Sequence, residues 1–218
     1  MSTEPIGPAL HHAGLNLDHA SREEAQQVES DVLGFWVFLM SDAVIFALLF
    51  ALFGTSLVAT DGEPDLAAVV KLVPAFIETM LLLASSFTFG MASIALKRGS
   101  AGRLQQQKRF AVRWMLVTLV LGIAFLGMEV NDFATMAHEG ATPDRSFFLS
   151  AFTVLVGTHG VHVLSGIVWL LVLLLQLATF ELDRPLKVNL IRLSLFWHFL
   201  DIVWIVIFSV VYLQGAIR

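Results

Sequence analysis

The chain has 218 residues, of which 57% are hydrophobic and 14% are charged, and its mean hydropathy is +0.79. Soluble domains have about 45–50% apolar and about 25% charged residues, so this composition indicates a membrane protein. A net charge of −5 without a basic run gives nucleic-acid binding no support, and the absence of cysteine excludes disulfides, thiolate metal sites and iron–sulfur clusters.

The chain begins with a polar, mildly acidic segment, residues 1–28, which is predicted to be a solvated cytoplasmic tail. This segment lacks the basic start and the apolar core of a secretory signal peptide. Residues 29–218 are predicted to form a single transmembrane domain.

Five apolar segments follow, and each has the length of about 20 residues that a membrane-spanning helix needs. We predict spans at about 32–59, 72–96, 112–136, 147–177 and 190–213. The connectors between them, "TDGEPD", "KRGSAGRLQQQKR", "HEGATPDR" and "ELDRPLK", are short and polar. Short connectors favour antiparallel packing of consecutive helices. The predicted fold class is therefore an all-α membrane protein, a bundle of five transmembrane helices.

The distribution of basic residues predicts the orientation of the bundle. Two connectors and the adjacent helix ends carry most of them: Lys97, Arg98, Arg103, Lys108, Arg109, Arg113, Arg184, Lys187 and Arg192. The opposite side has only Lys71, Arg145 and Arg218. Because cytoplasmic loops are enriched in lysine and arginine, we expect a cytoplasmic N-terminus and a periplasmic C-terminus.

Seven of the ionisable side chains inside the predicted spans are singled out as candidates, because each charge in a span costs about 2.5–3.5 kcal/mol on insertion scales. A layer near the middle of the membrane contains Asp42, His159, His162 and Asp201, and His198 precedes Asp201 on the same helix face. A second layer, closer to the outer surface, contains Glu78 and Glu129. All seven are candidates for structural, lipid or subunit contacts.

Two pairings are expected from these depths. Asp42 is predicted to pair across the bundle with His159 or His162, because an acid and an imidazole can stabilise each other where water is absent. Glu78 and Glu129 are predicted to share one polar cluster between spans two and three. Ionising two neighbouring carboxyl groups costs electrostatic free energy, so we expect one to be protonated or to have a hydrogen-bond donor as partner.

The stretch "VGTHGVHVLSG" carries two histidines three residues apart, and it has several interpretations. The two histidines could fasten helices together, hold a metal or haem, or relay protons. His159, His162 and His198 could supply three metal ligands, so a small membrane haem- or metal-binding protein is the alternative of another class. A haem usually takes ligands that face each other across a cavity, and no polar steps continue from the central layer to either surface. We therefore predict no catalytic, cofactor-binding or metal site in this chain.

Three segments, "GFWVFLMSDAVIF", "VGTHGVHVLSG" and "LFWHFLDIVWIVIFSVVYLQG", resemble subunit III of the haem-copper terminal oxidases. The resemblance covers about residues 33–215, and Asp42 stands at the position of that family's membrane-buried carboxylate. Many cytochrome c oxidase members have seven spans and a glutamate at this position. The chain resembles the cytochrome bo-type ubiquinol oxidase branch in four features: its five spans, the aspartate of "SDAV", and the segments "GMEVNDF" and "PDRSFFLSAF".

The resemblance implies an accessory, cofactor-free subunit of a complex in the bacterial inner membrane that oxidises ubiquinol, reduces oxygen and pumps protons. Haems and copper are expected in subunit I, and subunits I, II and IV and phospholipid are the expected partners. An aa3-type quinol or cytochrome c oxidase is the alternative within this class. We expect subunit I to dock on the first span near Asp42, through Phe35, Leu39 and Phe46.

Overall fold

The computed structural model describes residues 22–59, 71–97, 104–179 and 184–213. These residues form five long helices, and the fifth ends in a π-helical turn: α1 Arg22–Ala59, α2 Leu72–Lys97, α3 Leu104–His138, α4 Phe147–Thr179, α5 Arg184–Ile207 and the turn Phe208–Leu213. α1 begins inside the segment assigned to the polar tail, and residues 1–21 of that segment lie outside the described residues.

All five helices contain an apolar stretch that is long enough to cross a membrane. Within the described residues these stretches are Ser30–Leu57, Leu72–Ala95, Gln106–His138, Phe147–Thr179 and Pro185–Leu213. The prediction of an all-α bundle with five spans is confirmed. The helical form follows from the environment, because a helix satisfies every backbone hydrogen bond within one segment.

Contacts between aromatic rings show how α1 runs along α4. Phe35 contacts Trp169 near the end of α4, whereas Phe53 contacts Phe148 at its beginning, so the two helices are antiparallel. Arg192 Nη2 lies 3.6 Å from Asp31 Oδ2, which places the beginnings of α1 and α5 on the same side. The up-and-down order predicted from the short connectors is therefore correct.

One neighbour relation differs from the expected order. In the described part of the chain, α1 packs mainly against α4 and α5, and not against α2, which follows it in sequence. α2 packs against α3 and α5, and α3 also packs against α4. α5 therefore contacts three other helices, and its outward side lies between α1 and α2.

Two of the three residues predicted to contact subunit I are buried inside this chain. Leu39 and Phe46 are 3% and 2% exposed, because they belong to the face of α1 that packs against α4 and α5. Phe35, on the same side, is partly buried against the core. The exposed face of α1 instead carries residues such as Val37 and Val44. The aromatic residues of this segment are therefore divided between the two faces, with Phe46 inside the chain and Trp36 and Phe38 exposed.

The connector between α3 and α4 shows why both helices stop where they do. Gly140 has φ +78°, and the amide of Ala141 donates to the carbonyl of Met136 at 2.9 Å. The Gly140 amide donates to the Ala137 carbonyl at 3.2 Å, which completes a Schellman end with glycine in the left-handed conformation. Ser146 then caps α4 by accepting a hydrogen bond from the Phe148 amide.

Trp197 occupies the middle of the bundle, where glycines allow helices to approach it. A Cβ atom on Gly122 of α3 would lie 3.0 Å from the indole ring, and one on Gly166 of α4 would lie 3.3 Å from it. On the α2 side the ring stacks on Phe89. Small residues in membrane helices thus leave room here for a large side chain rather than for a neighbouring backbone.

Candidate functional site

Two carboxyl groups from neighbouring helices line one cavity at the end of the bundle where α2 begins and α3 ends. Glu78 of α2 and Glu129 of α3 are 1% and 4% exposed. The cavity has a volume of about 20 Å³, and Lys71, Asp132 and Tyr212 also line it. We call these five residues the carboxylate cluster. The predicted sharing of one polar cluster by Glu78 and Glu129 is confirmed.

Glycine in α4 makes room for one of these carboxyl groups. A Cβ atom on Gly160 would lie 2.8 Å from Glu129 Oε1, which is closer than side-chain carbon atoms approach other groups. Neither oxygen of Glu129 has a hydrogen-bond partner among the described residues, and the same holds for Glu78 Oε1. The cluster therefore holds buried carboxyl oxygens beside open space.

The other members of the cluster were not singled out from the sequence. Asp132 follows Glu129 by three residues, so the helical period places both on one face. Tyr212 is the only tyrosine in the chain and lies in the π-helical turn at the end of α5. Lys71 was counted only for orientation, and its Nζ lies 3.3 Å from Glu139 Oε1. Helical spacing alone could have found Asp132.

His159 is completely buried and packs against three aromatic rings. Its ring centroid lies 5.2 Å from that of Trp204, 6.0 Å from that of Phe125 and 6.3 Å from that of Phe46. Neither ring nitrogen has a hydrogen-bond partner in the described part of the protein. The imidazole therefore acts here as a flat ring in a packed aromatic cluster.

The predicted direct pair between Asp42 and a histidine is wrong. His162 Nδ1 lies 2.7 Å from the carbonyl of Thr158 in its own helix, so a local backbone acceptor takes the place of the carboxylate. Asp42 is 6% exposed on the packed face of α1, and its Oδ2 atom has no hydrogen-bond partner among the described residues. Matching depths placed these groups in one layer, but depth does not set the rotation of each helix.

His198 and Asp201 lie on α5 and have different environments. His198 Nδ1 lies 2.7 Å from the Ser86 hydroxyl of α2, and 3.6 Å from Asp201 Oδ2. The His198 side chain is 43% exposed, whereas that of Asp201 is 7% exposed. His198 therefore fastens α5 to α2 and still presents part of its ring at the surface of the bundle.

Two tryptophans of α5 add further hydrogen bonds to α2. The Trp197 indole N–H donates to the Ser85 hydroxyl, and that of Trp204 donates to the Thr79 hydroxyl, both at 3.1 Å. A hydroxyl pair, Thr88 with Thr118 at 2.8 Å, joins α2 to α3. Hydroxyl groups such as that of Ser85 give no pairing signal in the sequence, so these bonds are visible only when the partner helix is known.

The three histidines do not come together as ligands. Within the described ranges, no group of three or more histidine, aspartate or glutamate side chains has an arrangement that could hold a metal ion. His159 faces aromatic rings, and His162 and His198 bind groups on different helices, α4 and α2. The geometry therefore does not support the alternative of a metal-binding protein that uses His159, His162 and His198 as ligands.

Comparison with known proteins identifies the family. The family profile described as cytochrome c oxidase subunit III matches residues 20–216. Subunit 3 of the cytochrome bo(3) ubiquinol oxidase of Pseudomonas aeruginosa is 43% identical over 220 residues, which cover 100% of both chains. The quinol oxidase subunit 3 of Bacillus spizizenii is 42% identical over 209 residues, 94% of this chain and 98% of the relative. The chain belongs to the cytochrome c oxidase subunit III family.

Proposed function

We propose that this chain is the accessory subunit III of a cytochrome bo-type ubiquinol oxidase in a bacterial inner membrane. The observation that carries the proposal is the full-length similarity to the Pseudomonas aeruginosa subunit, at 43% identity. The complex would oxidise ubiquinol, reduce oxygen to water and translocate protons. Its haems and copper would belong to subunit I, and this chain would keep its basic connectors on the cytoplasmic side.

The role proposed for this chain is to stabilise the assembled complex. Its polar contacts fasten α2 to α5 and to α3, and they leave a large apolar surface for lipid and partner subunits. Phospholipid and subunits I, II and IV are the proposed contacts of that surface. Loss of the chain should therefore shorten the working life of the enzyme without removing any redox centre.

Co-purification and spectroscopy test this function together. The full chain, carrying an affinity tag in its native host, should retain subunits with haem and copper and should support oxygen consumption with ubiquinol. Deletion of the chain should leave the haem spectrum of the remaining complex intact but lower the number of turnovers before inactivation. Oxygen consumption with reduced cytochrome c, and none with quinol, would instead support the cytochrome c oxidase alternative.

We further propose that a partner transmembrane helix packs on the outward stripe of α5, which consists of His198, Ile202 and Ile205. His198 contacts α2 and Phe199 contacts α1, so the stripe lies between these two helices. Ile202 is 62% exposed. His198 lies near mid-membrane, where lipid tails offer no hydrogen-bond partner, and polar side chains at that depth usually face protein.

A bulky substitution on the stripe tests this surface. Ile202→Trp should reduce retention of the other subunits during detergent washing, because the added ring would separate the packed helices. The matched control is Val161→Trp on α4, which is similarly exposed at 65% but lies away from the stripe. Equal retention in the two variants would move the partner surface to another face of the bundle.

A further inference from the structure

The carboxylate cluster has a chemistry that the accessory role does not use. Glu78 and Glu129 come from different helices, line the same cavity and are almost fully buried. The cavity wall contributed by α4 is apolar, formed by Phe152 and Val156. We propose that Glu78 and Glu129 share one proton in this cavity, and that the proton exchanges with water at the Asp132 end.

The charges around the pair favour a bound proton. Three acids line the cavity, and the one cationic residue among the lining side chains is Lys71, which is already paired with Glu139 at 3.3 Å. Tyr212 contributes a neutral hydroxyl. Two buried like charges repel each other, and charge within a membrane span is costly, so one proton on the pair removes much of this cost.

The space and the free oxygens fit a proton shared through water or by direct contact. A cavity of about 20 Å³ has room for one water molecule, which needs at least two polar partners. Both oxygens of Glu129 and Oε1 of Glu78 are buried and make no hydrogen bond to described residues. These three oxygens can accept the proton of the partner acid or the hydrogens of a bridging water.

Exchange with solvent is possible from one side only. Asp132 is partly buried and Lys71 is exposed, so they form the polar end of the cavity. On the opposite side the nearest central histidine, His159, is enclosed by Phe125 and Trp204. Release therefore converts one carboxylic acid and one water into a carboxylate and a hydronium ion at the Asp132 end. The pair stores a proton and does not conduct it across the membrane.

Infrared spectroscopy of the purified full chain, alone or in its complex, tests the shared proton. The wild type should show a C=O band of a protonated carboxyl group at pH 7, and the band should shift in D₂O because the proton exchanges. Glu78→Gln and Glu129→Gln should each keep one protonated carboxyl group, at a shifted frequency, because the remaining acid is still buried. The double variant should lose one equivalent, because a single proton is lost.

Matched variants separate this pair from the other buried acids. Asp42→Asn and Asp201→Asn change buried acids outside the cavity lining, so the band that depends on Glu78 and Glu129 should persist in both. A loss of two equivalents in the double variant would mean two independent protons and would overturn sharing. A wild-type spectrum without a protonated-carboxyl band, or with a band that D₂O does not shift, would also overturn the proposal, whether or not the variants fold.

Discussion

The hydrogen bond of the Trp204 indole allows a direct measurement of the free energy that one bond between α5 and α2 contributes to stability. Its N–H donates to Thr79 Oγ1 at 3.1 Å, and the same hydroxyl donates to the Ala75 carbonyl at 2.8 Å. Thr79→Val keeps the shape of the side chain and removes both bonds. The buried indole N–H is then left without its acceptor.

Thr55→Val is the matched control for this substitution. The Thr55 hydroxyl donates only to a carbonyl of its own helix, that of Leu52, and the residue is exposed. Interhelical hydrogen bonds in membrane proteins contribute about 0.6 kcal/mol on average and about 1.7 kcal/mol at most, and an unsatisfied buried donor costs about 1–3 kcal/mol. We therefore expect Thr79→Val to cost about 1 kcal/mol more than Thr55→Val.

The assay is reversible unfolding of the purified chain in mixed micelles with increasing denaturing detergent, followed by tryptophan fluorescence. A double-mutant cycle with Trp204→Phe separates the hydrogen bond from packing, because phenylalanine removes the donor. The expected coupling free energy is about 0.6–1.7 kcal/mol. Equal losses in the two threonine variants, or a coupling free energy of zero, would refute the claim that this bond fastens the helices.

Three further predictions concern the packing, and the same unfolding assay tests each of them. Leu39→Ala should cost about 2–5 kcal/mol because the side chain is in the core, whereas Val44→Ala, on the exposed face, should change stability little. Gly122→Ala should be about 1–3 kcal/mol less stable than Gly127→Ala, since only the first places a methyl group against an indole ring. His159→Leu should not lower stability, because the imidazole makes no hydrogen bond to described residues; a loss above 2 kcal/mol would indicate a hidden partner.

The sequence predicted the helices well because membrane spans are set by length and hydropathy, which a single chain displays. The relative depth of each buried acid was predicted from the rise of about 1.5 Å per residue. The meeting of Glu78 and Glu129 follows from depth together with the adjacency of α2 and α3. Their helices are joined by a short connector, so little other information was needed.

The rotation and the non-consecutive neighbours of each helix were not predictable in the same way. Asp42 and His162 occupy similar depths, but the imidazole binds the Thr158 carbonyl in its own helix. Leu39 and Phe46 read as a partner surface because α1 is apolar on every side, so no hydrophobic stripe marks which face is packed. The neighbours of α1 are α4 and α5, which lie far from it in sequence.

The position of α5 explains why fold stability and partner binding should depend on the same helix. Lipid tails are as apolar as leucine, so helices in the membrane associate through close packing and polar contacts rather than through the hydrophobic effect. α5 uses Trp197 and Trp204 to bind α2, and it presents Ile202 at the surface between α1 and α2. A substitution that rotates α5 would break the indole bonds and also move the proposed partner stripe. Variants of Thr79 should therefore lose partner subunits in proportion to their loss of stability, whereas Ile202→Trp should lose partners while the isolated chain keeps its stability.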